Sequence, residues 1–340
     1  MKYVVIGGGI AGLAIGAFLE RKGREVVICE KQSGVTNQGH AFLLHADAVS
    51  VLNELNLDPG RRLPGELIRH FSLRRPDGNE VRAETLEGWT CMKRTDLLEF
   101  MDSLVQPSAV CRGRNFSHFL RENGRVVAAV FSNGTIEYGD IFIGCDGGKS
   151  KVRDAVFGSL PATTIMVKEI VGIAKNSMLW PRHRNSFVKF QHDQYGLSFG
   201  MIPTGPDEFV WFMQFDPCRG DISGIDHEQI RKFVIRSLSG FPSEVSELLR
   251  SNDFSRTYVW NTRDFDLLPA FHRDNIVLVG DAAHQALPFS SSGTTNAIVG
   301  AAALSHALDN SLNLEAAFQQ YYSQRAPVIR EHVRIGRELR

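Results

Sequence analysis

Four short apolar runs punctuate the chain, and each ends on glycine or an acidic residue. Tyr3 to Ile6, Glu25 to Cys29, Asp140 to Cys145 and Ile276 to Val279 therefore read as buried strands. Between the first two, Ala11 to Arg21 has the character of a helix closed by Gly23. Further on, Gly39 to Leu44 reads as extended, and Ala46 to Leu55 as a helix that stops at Asp58-Pro59-Gly60. Hairpins are expected at Phe71 to Arg75 with Glu80 to Ala83, around Pro76-Asp77-Gly78, and at Arg125 to Phe131 with Thr135 to Tyr138, around Ser132-Asn133-Gly134. Between the hairpins, Arg94-Thr95-Asp96 leads into a helix with Thr95 or Asp96 as its natural cap.

From Ile165 to about Tyr258 the pattern changes to alternation, with one helical stretch near His227 to Leu238. Leu197, Phe199 and Met201 share one face of a strand, as do Phe209, Trp211, Met213 and Phe215 of the next, with Pro203 to Asp207 as the turn. This is a half-buried antiparallel sheet. Its apolar face serves either as domain core or as the roof of a ligand cavity; the second reading makes Phe199, Met201, Trp211 and Met213 candidate substrate-lining residues. Near the end of the chain, Asn296 to Leu308 reads as a small-residue helix with Thr294 or Thr295 as cap.

Composition sets limits on this picture. The chain has 340 residues, 43% of them hydrophobic, enough for a large core in two domains sharing an interface. Lys and Arg balance Asp and Glu at a formal net charge of zero, so neither a nucleic-acid groove nor a polybasic membrane arm is expected. No apolar stretch is long and glycine-poor enough to span a bilayer. Cys29, Cys91, Cys111, Cys145 and Cys218 are scattered and lack a C-x-x-C pair, which fits a reducing cytoplasm and gives no reason to assign a metal.

The chemistry sits at the strand ends. Gly7, Gly9 and Gly12 form a G-x-G-x-x-G set directly after the first strand. Gly7 permits the tight turn, Gly9 lets the backbone approach a pyrophosphate, and Gly12 and Gly16 let the helix pack close to the sheet. Ala11 sits in the first turn of that helix, whose positive end faces the phosphates. Glu30, followed by Lys31, falls about 20 residues further on, where this fold needs a carboxylate for a ribose hydroxyl. Four regularly placed glycines and the continuing strand also oppose reading the first residues as a secretory leader. About 270 residues later, Gly280-Asp281 ends another buried strand, placing a carboxylate suited to sugar or ribityl hydroxyls. Together the two glycine-anchored segments point to FAD.

These residues carry a family resemblance. Gly7-x-Gly9-x-x-Gly12 with Glu30, Arg94 in Lys93-Arg94-Thr95-Asp96-Leu97-Leu98, Cys145-Asp146-Gly147-Gly148-Lys149-Ser150-Lys151-Val152-Arg153, and Leu278-Val279-Gly280-Asp281-Ala282-Ala283-His284 occur in the order found in class A flavoprotein monooxygenases. The chain resembles this para-hydroxybenzoate hydroxylase-like family over nearly its whole length. The resemblance implies an α/β chain with a Rossmann-like FAD-binding domain of the GR2-type flavoprotein fold and an inserted, mainly antiparallel β-sheet substrate domain. On that basis residues 1–70, 91–164 and 259–340 form the FAD-binding domain, and 71–90 and 165–258 the substrate domain. Glu30 is implied to bind the adenosine ribose, Arg94 to contact the FAD, and Asp281 to hold the ribityl chain; Asp146 belongs to a stretch associated with both FAD and NAD(P)H. Where the family has a proline and then a G-Q-G-x-N-like loop, this chain has Pro288 and Ser292-Gly293-Thr294-Thr295-Asn296, so Pro288, Gly293, Thr294 and Asn296 join the cofactor set. Pro288 and the serine loop are also expected to close the substrate cavity.

The activity the resemblance implies is hydroxylation of an aromatic or polycyclic small molecule, with NADH or NADPH as co-substrate and O2 activated as a C4a-hydroperoxyflavin. Water must be excluded from such a site. His40, His45, His192 and Tyr195 are the side chains available as a base, and none stands out; His284 is expected to pack the loop after Gly280-Asp281. A monomer or homodimer in the cytoplasm is expected. The same architecture serves halogenases and isoprenoid-chain reductases, although no W-x-W-x-I-P sequence is present. A non-catalytic carrier of the GDP-dissociation-inhibitor kind also keeps the glycine fingerprint.

Overall fold

The structure is a computed structural model that describes residues 1–34, 40–56, 58, 60–161, 163–193, 196–220, 222 and 224–339. Along the first third run β1 (Lys2–Ile6), α1 (Ile10–Arg21), β2 (Glu25–Glu30), β3 (Ala41–Leu44), α2 (Ala46–Leu55), β4 (Glu66–Arg74), β5 (Glu80–Lys93) and α3 (Arg94–Asp102). There follow β6 (Val110–Arg112), β7 (Phe116–Glu122), β8 (Arg125–Phe131), β9 (Ile136–Tyr138), β10 (Ile141–Gly144), α4 (Lys151–Phe157), β11 (Lys168–Lys175) and α5 (Trp180–His183). The remainder comprises β12 (Ser186–Gln191), β13 (Ser198–Gly205), β14 (Glu208–Phe215), α6 (His227–Ser237), α7 (Ser243–Arg250), β15 (Tyr258–Asn261), β16 (His272–Arg273), β17 (Ile276–Leu278), α8 (Gly293–Asn310) and α9 (Leu314–Glu338).

All four apolar runs enter one six-stranded sheet of order β16-β17-β10-β1-β2-β6, parallel except at β16. Residues 3–6 and 276–279 are buried, as a parallel strand covered on both faces requires. Helices α1 and α8 belong to the core on one side, with α9 against α8. Phe116, Val126, Ala129 and Phe131 of the β7-β8-β9 meander join the same core, and Phe119 meets Phe142 of β10 edge-on at 5.4 Å.

An eight-stranded sheet of order β15-β11-β14-β13-β12-β4-β5-β3 forms the second layer. It takes in β3 and a β4-β5 hairpin longer than the sequence indicates, with β4 parallel to β12 across a long connection. His40, just before edge strand β3, sets its ring 5.0 Å from Trp260 and 6.3 Å from Tyr258 on the opposite edge strand β15. The sheet therefore curls until its two edges meet.

Alternation gives this sheet two different faces. Val188, Phe190, Phe199, Met201, Trp211, Met213 and Ile170 pack with Phe233 and Val234 of α6 and Val245, Leu248 and Leu249 of α7. The other, concave face carries Leu43, Ile68, Val171, Ile202 and Val210, with Trp89, Phe187 and Phe212 beside them. Helix α7 has its apolar residues Val245, Leu248 and Leu249 on one side, but its eight residues between a proline and a short turn give that pattern only about two turns in which to show.

Two expected caps differ. Helix α3 begins at Arg94 after Lys93, with no side-chain cap, and the Thr95 hydroxyl donates to Asp96 instead. Helix α8 begins at Gly293, three residues before the expected start, again with no side-chain cap. The Thr295 hydroxyl accepts the His45 N–H at 3.1 Å, so it ties the β3-α2 junction to α8.

Candidate cofactor and substrate site

The first glycine turn is closed by contacts that only glycine allows. A Cβ on Gly7, where φ is +109°, would stand 2.3 Å from the Cys145 carbonyl oxygen. One on Gly12 would stand 1.8 Å from the Gly7 carbonyl oxygen. Gly9 differs, because a Cβ there would meet no atom within 4 Å. The space beside it is what a pyrophosphate approaching the backbone needs. Helix α1 starts at that point with no side-chain cap and no acidic residue in its first turn, leaving its N–H groups and positive dipole end for an anion.

Glu30 stands opposite this turn. Its carboxylate accepts the Gly8 N–H at 2.6 Å and the Gln32 N–H at 2.8 Å, which fixes it at the end of β2. Arg94 is attracted by Glu30 across the cleft while burial pulls its guanidinium below the usual arginine range. The Arg94 N–H is tied to the His40 carbonyl at 2.7 Å. Lys31 is exposed beside Glu30.

The other motifs close on the first. Gly280, at φ +65°, lies so close to Ala11 that an added Cβ would be 2.8 Å from the alanine methyl. Arg153 of α4 donates to the Gly148 carbonyl at 2.8 Å and to the Ala282 carbonyl at 3.4 Å, with its guanidinium over the Phe265 ring at 4.7 Å. One cation thus holds the strand-end segments after β10 and β17 together. Asp281 is exposed, with its side chain opening onto the cleft. The protein packed around it pushes its carboxyl up to about 6, with Arg153 pulling the other way.

Asp146 anchors the turn that leads into α4. Its carboxylate accepts from the Ser150 hydroxyl and, at 3.1 Å, from the Val152 N–H, holding the start of α4. Pro288 is exposed at the start of a short turn, Gly293 has open space beside it, and Thr294 is half-buried. Asn296 turns away from this loop: it accepts from Arg325 at 2.8 Å and meets His332 Nδ1 at 2.9 Å, both on α9. Its side chain joins two helices, which the flavin-loop spacing alone does not reveal.

The expected substrate-lining set is corrected. Phe199, Met201, Trp211 and Met213 belong to the face buried against α6 and α7, with the Trp211 indole N–H donating to Asn252 at 2.8 Å. Neighbouring positions on the same strands, Ile202, Val210 and Phe212, occupy the concave face. That face reaches the cofactor half through Trp89, whose ring stacks on His45 at 3.9 Å, beside Thr295 and the Ser290 carbonyl. Of the base candidates, Tyr195 lies outside the described residues and His192 sits in the β12-β13 connection. Burial lowers His45, and lowers His40 to about 4 with Arg94 adding to the effect, which holds the His40 ring neutral at neutral pH. His284 is buried against Phe271 and pushed down to about 3.

Residues 1–335 match the family model described as an FAD binding domain. The chain belongs to this FAD-binding family of class A flavoprotein monooxygenases. An aurachin C monooxygenase/isomerase from Stigmatella aurantiaca is 23% identical over 333 residues, covering 96% of this chain and 85% of the relative. A 3-amino-4-hydroxybenzoate 2-monooxygenase from Streptomyces cremeus is 27% identical over 370 residues, covering 100% and 86%. In fold the chain is similar to Klebsiella pneumoniae HpxO, solved with FAD and uric acid, at a TM-score of 0.90 and 21% identity over 100% of this chain and 87% of that one. The open space at Gly9, the uncapped α1 terminus and the cleft-facing Asp281 fit this flavoprotein's cofactor. No helix among the described residues is long and apolar enough to cross a membrane.

Proposed function

We propose that this chain is a cytoplasmic FAD-dependent monooxygenase that uses NADH or NADPH and O2 to hydroxylate an aromatic or polycyclic small molecule. The observation that carries the reading is the convergence of four separate segments on one cleft: Gly7 to Gly12, Glu30 with Arg94, Asp146 to Arg153, and Gly280-Asp281. A plain nicotinamide dehydrogenase would use the first and leave the last idle. The relatives named for monooxygenation match along almost the whole chain, which supports the same reading.

In this reading the six-stranded sheet and its helices form the cofactor half, and the curled eight-stranded sheet forms the substrate half. Gly9 and the α1 terminus hold the pyrophosphate, Glu30 the adenosine ribose, Arg94 the phosphate side, and Asp281 the ribityl hydroxyls. Bound FAD supplies electron transfer from NAD(P)H and activation of O2. The chain's own part is to orient the ring and keep water out. Val171, Ile202, Val210 and Phe212 give the concave face the apolar surface that this requires. The test is an incubation in labelled O2 with a panel of phenols and heteroaromatics: one labelled oxygen atom in a hydroxylated product supports the proposal. Consumption of NAD(P)H with hydrogen peroxide as the only product for every ring would count against it.

A further inference from the structure

The concave face carries a row of polar side chains that nothing above uses. Ser198, Gln214 and Glu169 stand opposite one another across β13, β14 and β11. The Ser198 hydroxyl donates to Gln214 at 3.1 Å, and the Gln214 amide donates to Glu169 at 2.6 Å. Ser198 and Gln214 are only 4% and 5% exposed. The chain of donors is thus spent in one direction, orienting the Glu169 carboxyl as an acceptor with a second oxygen left over. Lys189 is on the same face, paired through β12 with Gly200 of β13.

Glu169 and Lys189 are three strands apart, about 14 Å between backbones. Each is the charge that faces the other: burial pushes the carboxyl up and the ammonium down, and their mutual attraction opposes both shifts. Between them, Gly200 leaves a gap that the Phe212 ring enters; a Cβ on Gly200 would be 2.1 Å from the tip of that ring. Phe187 meets Phe212 edge-on at 6.0 Å and Phe71 at 4.9 Å, extending the aromatic surface. An apolar floor with a donor at one end and an acceptor at the other is the form of a ring-binding site.

We propose that Lys189 and Glu169 select the substrate of the monooxygenase site: an uncharged aromatic or heteroaromatic ring lying on Phe212, with a carbonyl-type acceptor at Lys189 and an O–H or N–H donor at Glu169. This rests on the functional reading above and narrows it. The two charges sum to zero, so a neutral ring leaves the buried row balanced. A carboxylate would bring a second anion into the same desolvated space as Glu169.

Binding of 4-hydroxybenzamide and 4-hydroxybenzoate, two rings of the same shape, separates these cases. Calorimetric titration of the FAD-loaded protein is expected to give at least about tenfold tighter binding of the amide, the value of a charge-assisted hydrogen bond. Lys189→Met weakens the amide by about tenfold, and Glu169→Gln, which keeps the shape of the row, removes the preference by admitting the carboxylate. Wild-type protein that binds neither ring, or prefers the carboxylate, overturns the assignment, and this comparison needs no variant to fold. Variants that hold FAD and bind both rings as wild type does also overturn it. Failure of NAD(P)H-driven oxygenation would sink the functional reading without altering the binding comparison, whereas a missing preference with oxygenation intact sinks this inference alone.

Discussion

Gly280 and Ala11 touch across 269 positions of sequence, with room between them for no more than the alanine methyl. The contact seats the turn after β17 on the first turn of α1 and brings Asp281 to the cleft that Gly9 opens. Gly280→Ala therefore meets both a left-handed backbone and a collision. The expected cost is about 2–4 kcal/mol, read as a lower unfolding midpoint, together with loss of bound FAD. An unchanged midpoint would show that the two segments are not wedged as described.

Gly9→Ala is expected to behave differently. Its added methyl meets nothing in the protein, so the unfolding midpoint of the FAD-free protein stays near wild type. The methyl occupies the approach to the pyrophosphate, and FAD affinity falls by about tenfold or more. Equal FAD affinity in fluorescence titrations of the two proteins would contradict the placement of the phosphates.

The two faces of the eight-stranded sheet separate by mutation. Trp211→Ala empties a fully buried site under α6 and α7 and is expected to cost about 3–5 kcal/mol, with little effect on which ring the protein prefers. Phe212→Ala, one residue along, is expected to change ring affinity more than stability. Denaturant unfolding paired with ring titration checks both, and the reverse pattern would restore the Trp211 face as substrate-lining.

That pair of neighbours shows where sequence reading stopped. The cofactor cleft was legible because its requirements are local: Gly7 and Gly12 tolerate no Cβ, and Glu30 must follow β2. The alternation of Phe199, Met201, Trp211 and Met213 correctly divides the strands into two faces, but both faces are apolar. Which one meets the cofactor depends on where α6 and α7 pack, a long-range contact without local signal. Asn296 shows a similar limit. It sits at the spacing of a flavin loop, yet Arg325 and His332 on α9 claim its side chain. Lys189 and Glu169 drew no notice because nothing near them in sequence marks the row they share.

His284 gives a pH dependence whose sign is set by burial. Its folded pKa, about 3, lies below that of the unfolded chain, so the unfolded state binds more protons as the pH falls. Stability from keeping this ring neutral is fully present above about pH 6.5 and is lost progressively toward pH 3. His284→Gln has no such group, and its stability is expected to fall less steeply between pH 6.5 and 4, by up to about 1.4 kcal/mol per pH unit. Parallel slopes in the two proteins would show that His284 is not buried as a neutral ring.

The central claim is tested most directly by the visible spectrum of the purified protein, followed by NADH and NADPH oxidation in air with and without aromatic rings. The account predicts flavin bands near roughly 375 and 450 nm at one FAD per chain, with oxidation stimulated by a ring that the concave face accepts. A colourless protein that cannot be reconstituted with FAD would contradict it.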